Sequence, residues 1–344
     1  MYFATIDCGT TNSRVYVLND RYEVLAKGTK KVGVRDTAIT DSKKTLREGL
    51  KEVFEQTVED AGLKISDIEF AITSGMITSE IGLMEIPHLW APAGLEELAS
   101  SMTVVRDDEI FPVDIPLIFI RGIKNYFPEN TTYEDIRRID FMRGEETQVA
   151  GLLSMYPNMS SPSTIVVLSS HTKFIHVNKE KKIAGSLTTL SGQTYEAIKK
   201  ETFIGKSIQT QSSQKADYFD PRVVETAYDC VRNAGFLRTI LMPRFMEVLL
   251  ETEWFERRLF IEAAIVAEDL GALGDFDAMN FDLNCNFILV GHKIRCEILK
   301  YLLSRHYGVS SEIRCVFDKE KIDWLSINGA IAIAQKAGYL KEGK

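Results

Sequence analysis

The sequence predicts a two-domain α/β protein, and three observations carry that reading. A chain of 344 residues with 45% hydrophobic content can bury more than one core. Short apolar strands alternate with amphipathic helical patterns along its length. A strand–polar turn–strand unit in residues 2–18 recurs in residues 165–177, so the second half opens as the first does, without a repeat of fixed period.

The composition narrows the partners. The formal net charge of −8 disfavours nucleic acid. No basic segment precedes an apolar run at the N-terminus, and no apolar run is long enough to cross a bilayer, so neither a signal peptide nor a membrane is expected. Cys8, Cys230, Cys285, Cys296 and Cys315 are scattered and odd in number, which fits free thiols in a reducing compartment, by default the cytoplasm.

Residues 2–6 read as a buried strand, residues 14–18 as a second and residues 24–28 as a third. Between the first two, Asp7-Cys8-Gly9-Thr10-Thr11-Asn12-Ser13 forms a turn whose backbone N–H groups and hydroxyls can wrap an anion. An Asp at the end of the first strand can hold Mg²⁺ through water. An ordinary hairpin turn has the same residue types. A P-loop is excluded, because Gly-Lys-Ser/Thr is missing and a strand follows. Asp41 or Ser42 can cap a helix running to about Ala61, with Leu46, Leu50, Val53, Phe54 and Val58 on one face. The strand at 68–73 ends in Ser74-Gly75-Met76, at the carboxyl end where open α/β sheets place ligands. Residues 87–94 are irregular, and His88 and Trp90 there read as packing before ligand. A short helix at 94–102 and a strand at 116–120 follow.

The centre of the chain is Met142-Arg143-Gly144-Glu145-Glu146-Thr147-Gln148, with one guanidinium, one glycine and two adjacent carboxylates at the head of a helix. Carboxylates there are favoured by the free N–H groups, so a charged helix start is one reading and a catalytic site the other. Beyond it, residues 165–168, 174–177 and 183–187 are strands, the first two joined by Ser169-Ser170-His171-Thr172-Lys173. Leu190-Ser191-Gly192-Gln193 opens a helix to about Thr202. Residues 205–221, with a Gln/Ser-rich run, read as an exposed loop. Helices are expected at 222–234, 236–252 and 254–273, the last apolar nearly all round and so buried. A strand at 287–290 ends in Gly291, a helix spans 293–306, a strand 313–316 and a small-residue helix 324–338. A strand ending in glycine before a helix can seat an adenine ring or be an ordinary tight connection.

Taken together these residues resemble the 2-dehydro-3-deoxygalactonokinases of the sugar kinase, actin and heat-shock ATPase superfamily. Asp140 through Gln148 is similar to the family signature almost residue for residue. Asp7-Cys8-Gly9-Thr10-Thr11-Asn12-Ser13-Arg14 resembles its Asp-Trp-Gly-Ser/Thr-Thr-Asn-x-Arg. Ser74-Gly75-Met76 resembles Ala-Gly-Met, His171-Thr172-Lys173-Phe174 His-Ser-Lys-Trp, Leu190-Ser191-Gly192-Gln193 Met-Thr-Gly-Glu, and Leu289-Val290-Gly291 the late Val-Gly turn. The matches are colinear over nearly the whole chain. The resemblance implies a two-domain actin-like ATPase (ribonuclease H-like) fold with a central cleft. Residues 1–143 would form an N-terminal domain, 144–160 an inter-domain helix and hinge, and 161–344 a nucleotide-binding domain with the C-terminal helix.

The resemblance also implies ATP and Mg²⁺ as cofactors, and phosphorylation of the terminal hydroxyl of a 2-keto-3-deoxy sugar acid. Asp7 would serve the metal through water, and Gly9, Thr10, Thr11, Asn12, Ser170, His171, Thr172, Lys173 and Gly291 the nucleotide and its phosphates. Arg14 would steady phosphate charge or pair with the central carboxylates. One of Glu145 and Glu146 would be the base, with Glu145 favoured. Adjacent helical residues cannot face one atom, so the other orients. Arg143, Ser74, Gly75, Met76 and Gln193 would meet the substrate, with Arg143 and Lys173 suited to its carboxylate. The two turns are expected to close on one ligand, hinging near 142–160 and again near the C-terminal helix. A small-molecule sugar acid is the expected partner, and a homodimer is compatible with the sequence. Four residues depart from the family pattern: Cys8 for Trp, Ser169 for Gly, Gln193 for Glu, and His292 for a second glycine. These keep open an altered specificity or a non-catalytic sugar-acid or nucleotide-binding protein on the same fold. An assembly ATPase is a further rival, and residues 143–148 argue against both rivals, since a non-catalytic protein has less need of a base.

Overall fold

The structure is a computed structural model and describes residues 1–211, 215 and 217–341. Strands β1 (Tyr2–Cys8), β2 (Ser13–Asn19) and β3 (Val24–Lys30) open the chain, followed by α1 (Val34–Thr40) and α2 (Lys44–Asp60). Then come β4 (Ile68–Gly75), β5 (Leu89–Trp90), α3 (Leu95–Ser100), β6 (Thr103–Val105), β7 (Leu117–Phe119), β8 (Ile123–Lys124) and β9 (Phe141–Met142). Helix α4 (Glu145–Met155) leads to β10 (Ser163–Leu168), β11 (Thr172–Val177), β12 (Ile183–Thr189), α5 (Ser191–Glu201) and α6 (Ile204–Ser207). Helices α7 (Pro221–Ala234), α8 (Phe236–Thr239), α9 (Met242–Leu250) and α10 (Trp254–Asp269) precede β13 (Asn286–Gly291), α11 (Lys293–His306), β14 (Ile313–Val316) and α12 (Lys319–Lys336).

The two large sheets share one plan. The first has the order β3-β2-β1-β4-β7-β6 and the second β12-β11-β10-β13-β14. In each, three consecutive strands pair antiparallel, and the first of them then pairs parallel with a later strand. The recurrence read from the two strand–turn–strand units is therefore a recurrence of topology. In each sheet the polar turn lies beside the carboxyl end of the parallel neighbour, since Cys8 pairs with Gly75 and Leu168 with Gly291.

The helices bury the faces that their periodicity predicts. Leu46, Leu50, Val53, Phe54 and Val58 of α2 are all buried, and α10 is buried on every side. Helices α4 and α12 cross between the two sheets, backbone against backbone. A Cβ on Gly151 would stand 1.9 Å from the Leu325 carbonyl oxygen, and one on Gly329 1.8 Å from that of Thr147. The small-residue run of α12 is what permits this approach.

Some expectations are corrected. The helix expected from Asp41 or Ser42 to about Ala61 is α2, which starts slightly later, and a separate α1 precedes it. Asp41 takes a left-handed conformation that ends α1, with φ +52°, and α2 starts after Lys43. Ser42 Oγ accepts from the Lys44 N–H at 3.3 Å, a local turn bond in place of a helix cap. The loop expected at 205–221 begins inside α6, whose Ile204, Gly205 and Ser207 are buried. Of its Gln/Ser-rich run, residues 212–214 lie outside the described residues. No helix among the described residues is long and apolar enough to cross a membrane.

A third sheet, β5-β8-β9, is attached to the edge strand β12. Asn125 Nδ2 donates to the Ser186 carbonyl and the Ser186 N–H returns to Asn125 Oδ1, both at 2.8 Å. Asp140 accepts from Thr188 Oγ1 at 2.8 Å and Ser186 Oγ at 3.0 Å. These bonds fix where the chain enters the Arg143–Glu146 segment.

Candidate active site

The first turn is built by sheet register. Asp7 lies opposite Arg14 across β1 and β2, and Arg14 Nη1 approaches Asp7 Oδ2 at 3.2 Å. Burial raises the Asp7 pKa, with the Arg14 charge opposing. The other carboxylate near Arg14 is Asp323 of α12, at 3.9 Å, which also pairs with Lys27. The partners of Arg14 are thus Asp7 and Asp323, and the expected alternative of a pair with Glu145 or Glu146 does not form. Past Asp7, the Gly9 N–H donates to the Asn12 carbonyl at 2.9 Å, and the Gly9 and Thr10 carbonyls accept from the Val34 and Arg35 N–H groups. The turn is held by its backbone, while Thr10 and Asn12 are exposed and Thr11 half-buried.

Two glycines dock the helix head against this turn. Gly75 ends β4 with φ +87°, and Gly144 precedes α4 with φ +109°, conformations open to glycine at little cost. A Cβ on Gly144 would lie 3.2 Å from the Gly75 Cα. One on Gly75 would meet the Cys8 carbonyl oxygen at 2.5 Å and Asp7 Oδ1 at 3.2 Å. Asp7, Gly75 and Gly144 therefore lie in close approach, and Glu145 follows Gly144 at the head of α4. Of the neighbouring predicted residues, Ser74 is buried beside Asp7 in the sheet, and Met76 packs against the core of the first half. Neither side chain is presented as the substrate contact expected of it, because both are taken up by packing.

The adjacent carboxylates diverge. Glu146 is 1% exposed, and both its oxygens accept from the Gly144 N–H at 2.8 Å. Burial, with the Glu145 charge adding, pushes its pKa up to about 8. Glu145 is half-buried on the first turn of α4. Arg143 Nη1 donates to Thr78 Oγ1 at 2.6 Å, and Nη2 donates to the Ile86 carbonyl at 3.0 Å and faces His88 Nδ1 at 3.4 Å.

The second turn mirrors the first. The Ser169 N–H donates to the His171 carbonyl at 3.0 Å, and the Gln193 N–H to the Ser170 carbonyl at 2.9 Å. Ser170 Oγ lies 3.1 Å from His171 Nδ1, and Gln193 Nε2 3.5 Å from His171 Nε2. Burial and Lys173 lower the His171 pKa, while Glu145 and Asp140 oppose. Gly291 pairs with Leu168 beside this turn and precedes α11. Two predicted phosphate contacts are displaced. Thr172 is fully buried within the strand. Lys173 is 5% exposed and donates to the Phe141 carbonyl at 2.7 Å, which puts it on the Arg143 side.

Mg²⁺ is implied by the resemblance. No group of three or more metal-ligating side chains occurs among the described residues. The partly buried Asp7 carboxylate with the exposed Thr10 beyond it suits an ion that keeps most of its waters. Sequence reasoning missed Arg121 and Lys124 and weighed His88 and Trp90 as packing. Arg143, Lys124, Arg121 and Lys173 all act on His88 to lower its pKa to about 4, after burial, the largest cause. The signal in sequence is only the spacing of short strands around His88, Arg121 and Arg143.

A sequence profile described as 2-keto-3-deoxy-galactonokinase matches residues 7–309. A probable 2-dehydro-3-deoxygalactonokinase of Rhizobium meliloti (strain 1021) is 26% identical over 208 residues, 60% of this chain and 59% of its own. The 2-dehydro-3-deoxygalactonokinase of Escherichia coli (strain K12) is 24% identical over 148 residues, 43% of either chain. The matched segments thus span less than two thirds of these curated relatives. A Sinorhizobium meliloti crystal structure assigned as a 2-dehydro-3-deoxygalactonokinase superposes with TM-score 0.68 at 19% identity, covering 97% of this chain and 98% of its own. The activator of 2-hydroxyisocaproyl-CoA dehydratase from Clostridium difficile, solved with ADPNP, gives 0.51 at 13% identity, covering 100% and 98%. These likenesses show the fold, that of the actin-like ATPases.

Proposed function

The chain belongs to the 2-keto-3-deoxy-galactonokinase family, and from that premise we propose an ATP-dependent kinase that phosphorylates the terminal hydroxyl of a 2-keto-3-deoxy sugar acid such as 2-dehydro-3-deoxygalactonate. The observation that supports this reading is the docking of Gly144 on Gly75, which itself abuts Asp7, and we infer that Glu145, the next residue, works beside the Asp7 turn.

Phosphoryl transfer asks for alignment, charge neutralisation and a base. Glu145 takes the proton of the terminal hydroxyl as its oxygen bonds to the γ-phosphorus. The bond from that phosphorus to the β–γ bridging oxygen breaks, and ADP leaves with the electron pair. Glu146, tied to the Gly144 N–H, fixes the first turn of α4 and so aims Glu145. The turns at Gly9, Thr10, Thr11 and Asn12 and at Ser170 and His171 flank the phosphates, with Gly291 beneath the nucleotide. Asp7 would hold Mg²⁺ through water, and the ion would neutralise charge on the phosphates. Arg14 holds Asp7 in place, and Arg143 and Lys173 supply positive charge for the carboxylate end of the substrate. The same reading divides the chain at residues 1–143, 144–160 and 161–344, and places the protein in the cytoplasm.

The test is ADP release with ATP, Mg²⁺ and a panel of 2-keto-3-deoxy sugar acids. Acid-dependent release is expected, strongest for one stereochemistry. Release that no acid stimulates would remove the kinase reading.

A further inference from the structure

The three-stranded sheet β5-β8-β9 has one buried and one open face. Leu89, Ile123 and Met142 are in register, and Ile123 and Met142 are fully buried. The alternate register set is Trp90, Lys124 and Phe141, and side chains alternate faces along strands. Trp90 is 45% and Phe141 55% exposed. Lys124 Nζ sits 3.7 Å from the centre of the Trp90 ring and 5.6 Å from that of Phe127, the two rings pack edge to face, and His88 packs edge-on to Phe141.

Positive charge gathers at this face, with Glu146, Glu80 and Glu85 the acidic groups that act on Arg143 from beyond ion-pair distance. Arg121 donates to the Pro87 and His88 carbonyls, Arg143 to Thr78 and Ile86, and Lys173 to Phe141. Among the described residues none of these three, nor Lys124, is in an ion pair, although the chain is acidic overall. All four act on His88. Arg143 can only donate, so His88 Nδ1 accepts and Nε2 carries the hydrogen. That buried Nε2 has no partner. Four cations around one neutral imidazole repel one another, and an anion bound among them would relieve that repulsion. Exposed aromatic rings beside them suit the carbon chain of a polyol.

We propose that the Trp90–Lys124–Phe141 face is the sugar-acid subsite, with Lys124 taking the substrate carboxylate and the Trp90 ring lying along its carbon chain. The proposal rests on the kinase reading and deepens it. In a 2-keto-3-deoxy acid the carboxylate and the terminal hydroxyl are at opposite ends. The acid end must therefore be held away from Glu145 while the chain lies toward it. Phe141 is the link, since β9 leads directly through Arg143 and Gly144 to Glu145. Arg143 and Lys173 add positive charge toward the same carboxylate, and Lys124, in direct contact with it, discriminates an acid from a neutral sugar.

The chain has three tryptophans, and of the other two Trp254 is buried and Trp324 partly buried in the core. Titration of the intact protein with 2-dehydro-3-deoxygalactonate should therefore change Trp90 fluorescence, and Trp90→Phe should remove the change. Lys124→Met should weaken acid binding by about 10- to 100-fold, the worth of a charge-assisted hydrogen bond. It should leave the KM for ATP and the affinity for the matching 3-deoxy polyol without a carboxylate within twofold, and Lys124→Arg should restore much of the acid binding. Unchanged acid binding in both Lys124→Met and Trp90→Ala, in a protein whose wild type phosphorylates the acid, overturns the subsite and leaves the kinase standing. Self-association lost on Trp90→Ala with acid binding intact overturns it in favour of an interface between copies. A wild type that neither binds nor phosphorylates any acid of the panel removes the kinase reading and the subsite with it.

Discussion

Glu145 and Glu146 are neighbours in the chain with opposite environments: Glu146 is sealed against the Gly144 N–H, and Glu145 stays partly open on the same helical turn. A base must reach its proton and be ionised at working pH. Glu146, with its pKa pushed up to about 8, is neither open nor predominantly charged at neutral pH. Glu145→Gln should lower kcat by on the order of 10² to 10⁴ with the KM for ATP nearly unchanged. Glu146→Gln should cost far less, because its amide oxygen can still accept from Gly144. The reverse ranking in steady-state kinetics would exchange the two roles.

The buried Glu146 also sets a pH dependence of stability. Its folded pKa, about 8, lies above the ordinary value of 4.5. Between those values the unfolded chain releases the proton and the folded chain keeps it, so stability falls as pH rises through the window. The stabilisation is whole below about pH 4.5 and lost once pH passes the folded pKa. Glu146→Gln cannot ionise. Its melting temperature should therefore gain on that of the wild type from pH 5 to pH 9, and a constant difference would show that Glu146 is charged throughout.

The α4–α12 crossing has no room for a methyl group. Gly329→Ala should destabilise the protein by about 3 kcal/mol or more, since the intruding atom meets a backbone carbonyl that cannot swing aside. Urea melts would detect it, and a midpoint within error of the wild type would mean that the helices separate freely.

Asp7→Asn removes a partly buried charge at the end of β1 and the ion pair with Arg14. We expect turnover to fall by on the order of 10²- to 10³-fold and to need more Mg²⁺. The fluorescence change with sugar acid alone should persist, since the Trp90 face lies on another sheet. Full activity at low Mg²⁺ would take Asp7 out of the site.

Much of this was legible in sequence wherever a pattern ran long enough. The apolar stripe of α2, the all-round burial of α10 and the limits of α11 follow from periodicity over three turns or more. The Asp7 turn and the Arg143–Glu146 segment were legible because glycine and carboxylates cluster there. Strands β5, β8 and β9 were not, because a two-residue strand has no alternation to read. Lys124 and Trp90 become neighbours only through that pairing, across a gap of 34 positions. Lys173 reads as part of a phosphate turn in sequence, yet its strand register turns it toward Phe141.

The most direct measurement is ³¹P NMR of a reaction holding ATP, Mg²⁺ and 2-dehydro-3-deoxygalactonate, run with the wild type and with Glu145→Gln. A terminal phosphomonoester should appear with the wild type, one for each ADP, and be suppressed with the variant. ADP with inorganic phosphate in place of the ester, or an ester formed equally fast by Glu145→Gln, would contradict a sugar-acid kinase whose base is Glu145.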